Sequence, residues 1–200
     1  MLTDAEVMKE FEAAEAILRG HFILSSGLHS DTYLQCARVL MNPKRAEKLC
    51  ASLAEKITKQ LGGKKIDQVV APAMGGVVVG YEMGRQLGVE TIFCEREAGE
   101  FALRRGFRIE PNTNILLVED VVTTGKSSLE TVECIKKHGG NVVAEASLID
   151  RSGGESAKLP FPLISLLTVN VASFSADHVP EHLKDVPAIK PGSRWLQKQA

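Results

Sequence analysis

Two adjacent acids, Glu119 and Asp120, close an apolar run, Ile115-Leu116-Leu117-Val118. After Val121 and Val122 comes a small-residue loop, Thr123-Thr124-Gly125, and then a helix start at Lys126, Ser127 and Ser128. That order suits a ligand that is a sugar and a phosphate at once. Carboxylates accept hydrogen bonds from ribose hydroxyls, and backbone N–H groups at a helix N-terminus bind phosphate. Neighbouring residues of an extended chain point to opposite sides. One acid can therefore face the ligand while the other holds the loop or meets a second ligand group. Thr123 and Thr124 add hydroxyls, and Gly125 lets the backbone approach a phosphate without a Cβ in the way. A lone Asp at a strand end is ordinarily a cap or turn residue; two acids after a wholly apolar strand are harder to explain that way.

Three other motifs are not supported by their surroundings. Gly125-Lys126-Ser127 has the end of a nucleotide-triphosphate loop, GxxxxGK[ST], but the first glycine of that pattern falls on Asp120, whose charge would repel the triphosphate. His178-Val179-Pro180-Glu181-His182 has the HxxEH spacing of some zinc peptidases. Pro180 is expected to open a helix at its first position, which leaves His178 outside and the two histidines on no common face. Ser26, His29 and Asp31 have the types of a hydrolytic triad but lie too close in sequence to orient one another, and no GxSxG elbow exists.

The elements that would position these groups alternate. Thr3 and Glu6 form a capping-box pattern, followed by Val7, Met8, Phe11, Ala14 and Leu18 at helical spacing, with Gly20 as the expected stop. Residues 21–36 read as short strands and turns, a small annex to the main fold. Asn42-Pro43 starts a helix, with Asn as cap and Pro at the first position; Gly62-Gly63 ends it. Then come a strand at 68–71, a helix at 76–87 closed by Gly88, a strand at 91–94, the strand at 115–118, a helix at 126–138 closed by Gly139-Gly140, and strands at 141–149 and 163–169. The strand at 115–118 has no polar face, as expected when helices cover both sides of a sheet. The reading is an α/β fold with a mostly parallel central sheet flanked by helices. It is divided into an N-terminal helix and hood, residues 1–40, and a core, residues 41–200. Residues 95–111 interrupt the alternation with Arg96, Arg104, Arg105 and Arg108. They read as a functional or mobile loop or ribbon, flexible over 95–110, with an ordinary charged hairpin as the plainer alternative.

Composition bounds the function. The chain has 200 residues, 44% hydrophobic and 24% charged, with net charge −1: enough apolar residues for a full core, and no electrostatic hint of nucleic acid or an acidic membrane. Cys36, Cys50, Cys94 and Cys134 are scattered without a CxxC pair, which fits a reducing cytosol better than a zinc site or a disulfide framework. The acidic N-terminus does not read as a signal peptide, and no apolar run approaches the roughly 20 residues of a membrane helix. A cytoplasmic protein is expected.

The segment 115–127 resembles the phosphoribosyl pyrophosphate (PRPP) signature of type I phosphoribosyltransferases: four apolar residues, two acids, two apolar residues, then Thr, a small residue and Gly. The resemblance implies that Glu119 and Asp120 bind the ribose hydroxyls and act in catalysis, and that Val121, Val122, Thr123, Thr124, Gly125, Lys126 and Ser127 cradle the 5′-phosphate. Ala71-Pro72-Ala73-Met74-Gly75-Gly76 sits where the family has its pyrophosphate loop, which assigns Met74, Gly75 and Gly76 to PRPP. On the residues alone, this is as well read as a plain strand-to-helix turn. Residues 95–108 resemble the family's mobile catalytic loop, with Arg96, Arg104 and Arg105 neutralising the departing pyrophosphate.

Residues 20–36 resemble the hood of the orotate phosphoribosyltransferases, with Phe22, Leu24, Ser26, Gly27 and Tyr33 matching a Phe-x-Leu-x-Ser-Gly turn and an aromatic strand. Leu148-Ile149-Asp150-Arg151 matches a strand-end Asp-Arg whose arginine pairs with the orotate carboxylate; the planar fork of arginine suits that task. On its own, Arg151 reads equally as a surface ion pair. The resemblance puts Ser25, Tyr33, Leu34, Thr123 and Arg151 at orotate. Two positions depart from one subgroup, which has lysines where this chain has Ser25 and Gly75. The resemblance covers about residues 12–195. It implies transfer of the phosphoribosyl group from PRPP to orotate, giving orotidine 5′-monophosphate and pyrophosphate, in de novo pyrimidine (UMP) synthesis. It also implies Mg²⁺ held mainly through PRPP rather than by protein ligands, and a homodimer whose loops reach the neighbouring sites. Transfer to a purine or uracil is the nearest alternative, and the hood and Arg151 weigh against it. A non-catalytic PRPP sensor that binds nucleic acid fits neither the net charge nor the absence of a helix-turn-helix extension.

Overall fold

The computed structural model describes residues 1–24, 27–154 and 158–191; Ser25, Ser26 and residues 192–195 of the resemblance lie outside the described residues. Helix α1 (Asp4–Ala13) begins at the expected capping box, the Thr3 hydroxyl accepting from the Glu6 N–H while the Glu6 carboxylate accepts from the Thr3 N–H. It ends well before Gly20. Glu15 takes a left-handed conformation, φ 48°, and the Ala16 N–H donates to the Phe11 carbonyl at 2.9 Å. Leu18 and Gly20 instead lie in strand β1 (Ile17–Ile23), where Leu18 pairs with Tyr33 of strand β2 (His29–Leu34). Cross-strand pairing with β2 overrides the helical spacing, a tertiary effect that a periodicity reading does not contain.

A short helix α2 (Cys36–Leu40) leads to α3 (Pro43–Leu61), where Asn42 Oδ1 accepts from the N–H groups of Lys44 and Arg45 at 3.1 and 3.2 Å, as the sequence predicts. Then follow β3 (Gln68–Pro72), α4 (Gly75–Leu87), β4 (Glu90–Glu97), β5 (Glu100–Leu103), β6 (Asn114–Val122), α5 (Lys126–Lys137), β7 (Asn141–Asp150), β8 (Leu163–Thr168), β9 (Ser173–Phe174) and α6 (Glu181–Lys184). Pro180 caps α6 one position earlier than expected, and His178 lies outside the helix, in a short 3₁₀ turn.

The main sheet has the order β5-β4-β3-β6-β7-β8; only the β4–β5 pair is antiparallel. The arginine-rich segment therefore starts as a hairpin at the sheet edge, turning at Ala98 and Gly99. The inner strand β6 shows why its sequence has no polar face. Leu116 and Val118 pack into a core with α1, α3 and α4, while Ile115 and Leu117 pack into a second core with α5 and the hairpin residue Phe101. All four cysteines are free and buried, and the Cys94 and Cys134 thiols come within 3.7 Å across the second core. The hood is a separate antiparallel sheet, β1-β2-β9, so its third strand comes from far along the chain. No helix among the described residues is long and apolar enough to cross a membrane.

Candidate active site

The site forms where β6 and β7 end. Alternation along β6 turns its two acids to opposite faces, as the sequence predicts. Glu119 looks to the α5 side, into a cavity of about 470 Å³ that is also lined by Arg96, Val121, Val122 and residues 123–128. Asp120 looks to the α4 side, against Gly75. Its Oδ1 accepts from the Val121 N–H at 2.9 Å, which holds the carboxylate across the strand end.

Both acids are partly buried, and Glu119 Oε2 is fully so. Burial, then Asp120, then Glu145 push the Glu119 carboxyl up to about 9, and its Oε2 has no described hydrogen-bond partner. Burial also raises Asp120, against the Val121 N–H, which favours the charged form. Unmet acceptor capacity in a buried carboxyl is costly unless a ligand supplies donors. Ribose hydroxyls are such donors. Among the described residues no group of three or more His, Cys, Asp or Glu converges in a way that could hold a metal ion.

The loop after β6 follows from its residues. Gly125 is left-handed, φ 71°, and caps α5; a Cβ there would also meet Leu159 at 3.1 Å. Lys126, Ser127 and Ser128 of the first turn of α5 consequently line the cavity, and the Lys126 N–H donates to the Thr124 hydroxyl at 3.4 Å. Lys126 is largely exposed, 3.9 Å from Glu130.

Across the β6 end, the Ala71–Gly76 turn approaches from α4. Its Ala73 N–H donates to the Cys94 carbonyl at 2.8 Å, the Ala73–Met74 peptide is cis, and Met74 is exposed. Gly75 is closed to a side chain: a Cβ would lie 2.8 Å from Asp120 Oδ1.

Arg151 follows directly on β7, its N–H donating to the Val122 carbonyl at 2.8 Å, which puts it beside Thr123. The side chain is half-buried, burial lowers its affinity for the proton, and no described residue forms an ion pair or hydrogen bond with the guanidinium. Tyr33 reaches the same region from the hood. Burial, then the charges of Asp120 and Cys36, raise its phenol, and Arg151 opposes them. Leu34, next along β2, belongs by its side chain to the core.

The loop arginines separate. Arg96 lines the Glu119 cavity, bonds to Glu130 and to the Gly99 carbonyl (2.7 Å), and covers the Phe101 ring at 4.3 Å. Arg105 is bidentate to Glu95 at 2.7 and 2.8 Å, and Arg104 lies 3.7 Å from Glu97; both pairs are exposed and outside the cavity lining. The sequence reading missed the buried Glu145, which accepts from the Ser128 hydroxyl at 2.7 Å. Its signal was a charge in the interior of a strand whose neighbouring residues, Val142 to Ala144 and Ala146, are apolar.

The cavity lies at the carboxyl ends of strands in a mostly parallel sheet covered by helices on both faces, where folds of this class bind their ligands. The model of the phosphoribosyl transferase domain matches residues 39–181, and the chain belongs to that family. Its branch is that of the orotate phosphoribosyltransferases. The relative of that name in Erythrobacter litoralis is 58% identical over 96% of this chain and 99% of its own length; that in Sphingopyxis alaskensis is 54% identical over 96% and 98%. The crystal structure of orotate phosphoribosyltransferase from Aeropyrum pernix superimposes with a TM-score of 0.67 at 25% identity, covering 81% of this chain and 93% of that one.

Proposed function

We propose that this chain transfers the phosphoribosyl group of PRPP to orotate, releasing pyrophosphate and orotidine 5′-monophosphate, a step of pyrimidine synthesis. The observation that carries the reading is the half-buried Arg151, without a described partner and beside both Thr123 and Tyr33. It suits a planar anionic base better than a neutral one.

In this reading Glu119 and Asp120 accept from the ribose hydroxyls, the N–H groups and hydroxyls of residues 121–127 hold the 5′-phosphate, and residues 74–76 hold pyrophosphate through backbone amides. Arg151 binds the orotate carboxylate, and Tyr33 covers the ring. Leu34 supports the hood strand from the core side, and Ser25 belongs to the hood turn. A ring nitrogen of orotate displaces pyrophosphate at C1 of the ribose, so positive charge develops on the sugar and negative charge on the leaving group. No protein nucleophile is needed; catalysis is positioning plus electrostatics. Mg²⁺, when bound, would be held mainly through PRPP with the carboxyl oxygens of Glu119 and Asp120 nearby, and would supply positive charge beside the pyrophosphate. Arg96 adds positive charge from the same cavity.

Arg104 and Arg105 would act after their exposed pairs open, a step that costs little. Closure of residues 95–110 would exclude water from C1. We further propose a cytoplasmic homodimer in which these arginines serve the neighbouring site. Met74, Val78 and Tyr81 are exposed along one side of α4, and Met41 is exposed at the end of α2, which contacts α4. An apolar stripe of that kind suits a two-fold interface.

The test is pyrophosphate release with Mg²⁺, PRPP and each of orotate, uracil, adenine and hypoxanthine. Turnover with orotate supports the reading; its absence, or faster turnover with another base, overturns it.

A further inference from the structure

We propose that Glu145 is a positioning residue for the phosphate loop, holding the first turn of α5 through its hydrogen bond to Ser128. This inference rests on the reading of residues 121–127 as the phosphate cradle.

Glu145 lies midway along β7, opposite Leu117 of β6 and Leu163 of β8, and is fully buried. Its Oε1 accepts from the Ser128 hydroxyl at 2.7 Å; its Oε2 is buried with no described partner. Ser128 is itself almost fully buried and lines the Glu119 cavity, in the first turn of α5 with Lys126 and Ser127. An apolar residue would fill this place in a doubly covered sheet at no desolvation cost. A carboxyl here instead ties the helix start to the strand beneath it. One bond of this kind is what a loop needs if its amides must meet a phosphate to within a few tenths of an ångström.

The charge acting on Glu145 is Asp150 on its own strand, and Glu145 in turn acts on Glu119 across on β6; α5 faces it with the Ser128 hydroxyl, which opposes the rise, and β8 with Leu163. With acids around it, burial pushes its carboxyl up to about 7. Below that pH it is neutral. Above it, a negative charge grows beneath the phosphate loop and next to Glu119, and should weaken PRPP binding.

Steady-state kinetics on full-length Glu145→Gln, Glu145→Leu and Ser128→Ala test this, with melting curves for each. Leu and Ala remove one partner of the bond. They are expected to raise the KM for PRPP about tenfold, the size of one lost buried hydrogen bond, and to move the KM for orotate less than twofold. The Gln variant keeps an acceptor for Ser128 and cannot ionise. Its KM for PRPP should stay level between about pH 6 and 8.5, while that of the wild type climbs several-fold. A Gln variant that follows the wild-type pH profile, or a Ser128→Ala variant whose KM for PRPP is unchanged, overturns the proposal. Lack of turnover by the wild type itself would sink the reading of the function instead. Should the Leu variant not fold, the Gln pH profile and Ser128→Ala still decide.

Discussion

Gly75 and Asp120 are packed so tightly that a Cβ on residue 75 would sit 2.8 Å from Asp120 Oδ1, closer than real Cβ contacts come. The start of α4 and the end of β6 thus share one space, and the turn proposed for pyrophosphate is locked to an acid proposed for ribose. This gives a physical reason for glycine where one subgroup of related enzymes has lysine. Any side chain must push aside a partly buried carboxylate that is already held by the Val121 N–H.

Gly75→Ala should therefore displace Asp120 and raise the KM for PRPP by about one to two orders of magnitude, the usual cost of moving a positioned group by about an ångström. Gly75→Lys should be worse, not better, despite restoring the lysine. Kinetics with PRPP varied at saturating orotate decide this; improved PRPP use by Gly75→Lys would refute the packing argument.

Glu119 sets function against stability. Its carboxyl is pushed up to about 9 from an ordinary value near 4.5. An acid whose pKa rises on folding favours the native state below the unfolded pKa, and loses that advantage as the pH climbs through the native value. At about pH 8 the unfolded carboxyl has lost its proton while the native one still holds it, which weighs against folding. Glu119→Gln removes that linkage. Its melting temperature should exceed that of the wild type at about pH 8 by some 2–4 °C per kcal/mol recovered, with the gain shrinking toward pH 4, while PRPP use falls. Equal melting curves at both pH values would contradict the burial of this group.

Arg151→Ala should chiefly weaken orotate use, by about two orders of magnitude in kcat/KM, since a charge-assisted bidentate contact is lost. The KM for PRPP should move little. Separate titration of the two substrates checks this, and unchanged orotate kinetics would move the base site elsewhere.

In the proposed homodimer Arg104 and Arg105 serve the neighbouring site. Arg105→Ala and Asp120→Asn should each be nearly inactive alone. Random exchange of subunits makes half the dimers hybrid, each with one intact site, so an equimolar mixture should recover about a quarter of wild-type activity. Recovery is read after mixing and re-equilibration, and its absence would place the arginines in their own subunit's site. Tyr81→Glu, which sets a charge in the apolar stripe of α4, should yield monomers in sedimentation and abolish that recovery.

Local order was legible in the sequence wherever it arises from local physics. Thr3 with Glu6, Asn42 with Pro43, and Gly62 and Gly88 act within a turn of their own helices, so their types predict the ends they make. The apolar run before Glu119 and Asp120 could be read as an inner strand because burial on both faces leaves no polar position. The order of acids, small loop and helix start could be read locally too, and it suits the sugar and phosphate of the proposed function. What the sequence could not decide is which distant residues meet. Leu18 left its expected helix because β2 offered better pairing, and Gly20, expected as the helix stop, fell at an irregularity of β1; β9 joined the hood from the far end of the chain; Arg96 entered the cavity while Arg105 turned to Glu95. Gly75 against Asp120 and Ser128 against Glu145 are likewise facts of packing. Each joins elements whose separation in the chain says nothing about their distance in space. Only the folded sheet, by stacking α4 and α5 on opposite faces of β6, settles how closely the groups approach.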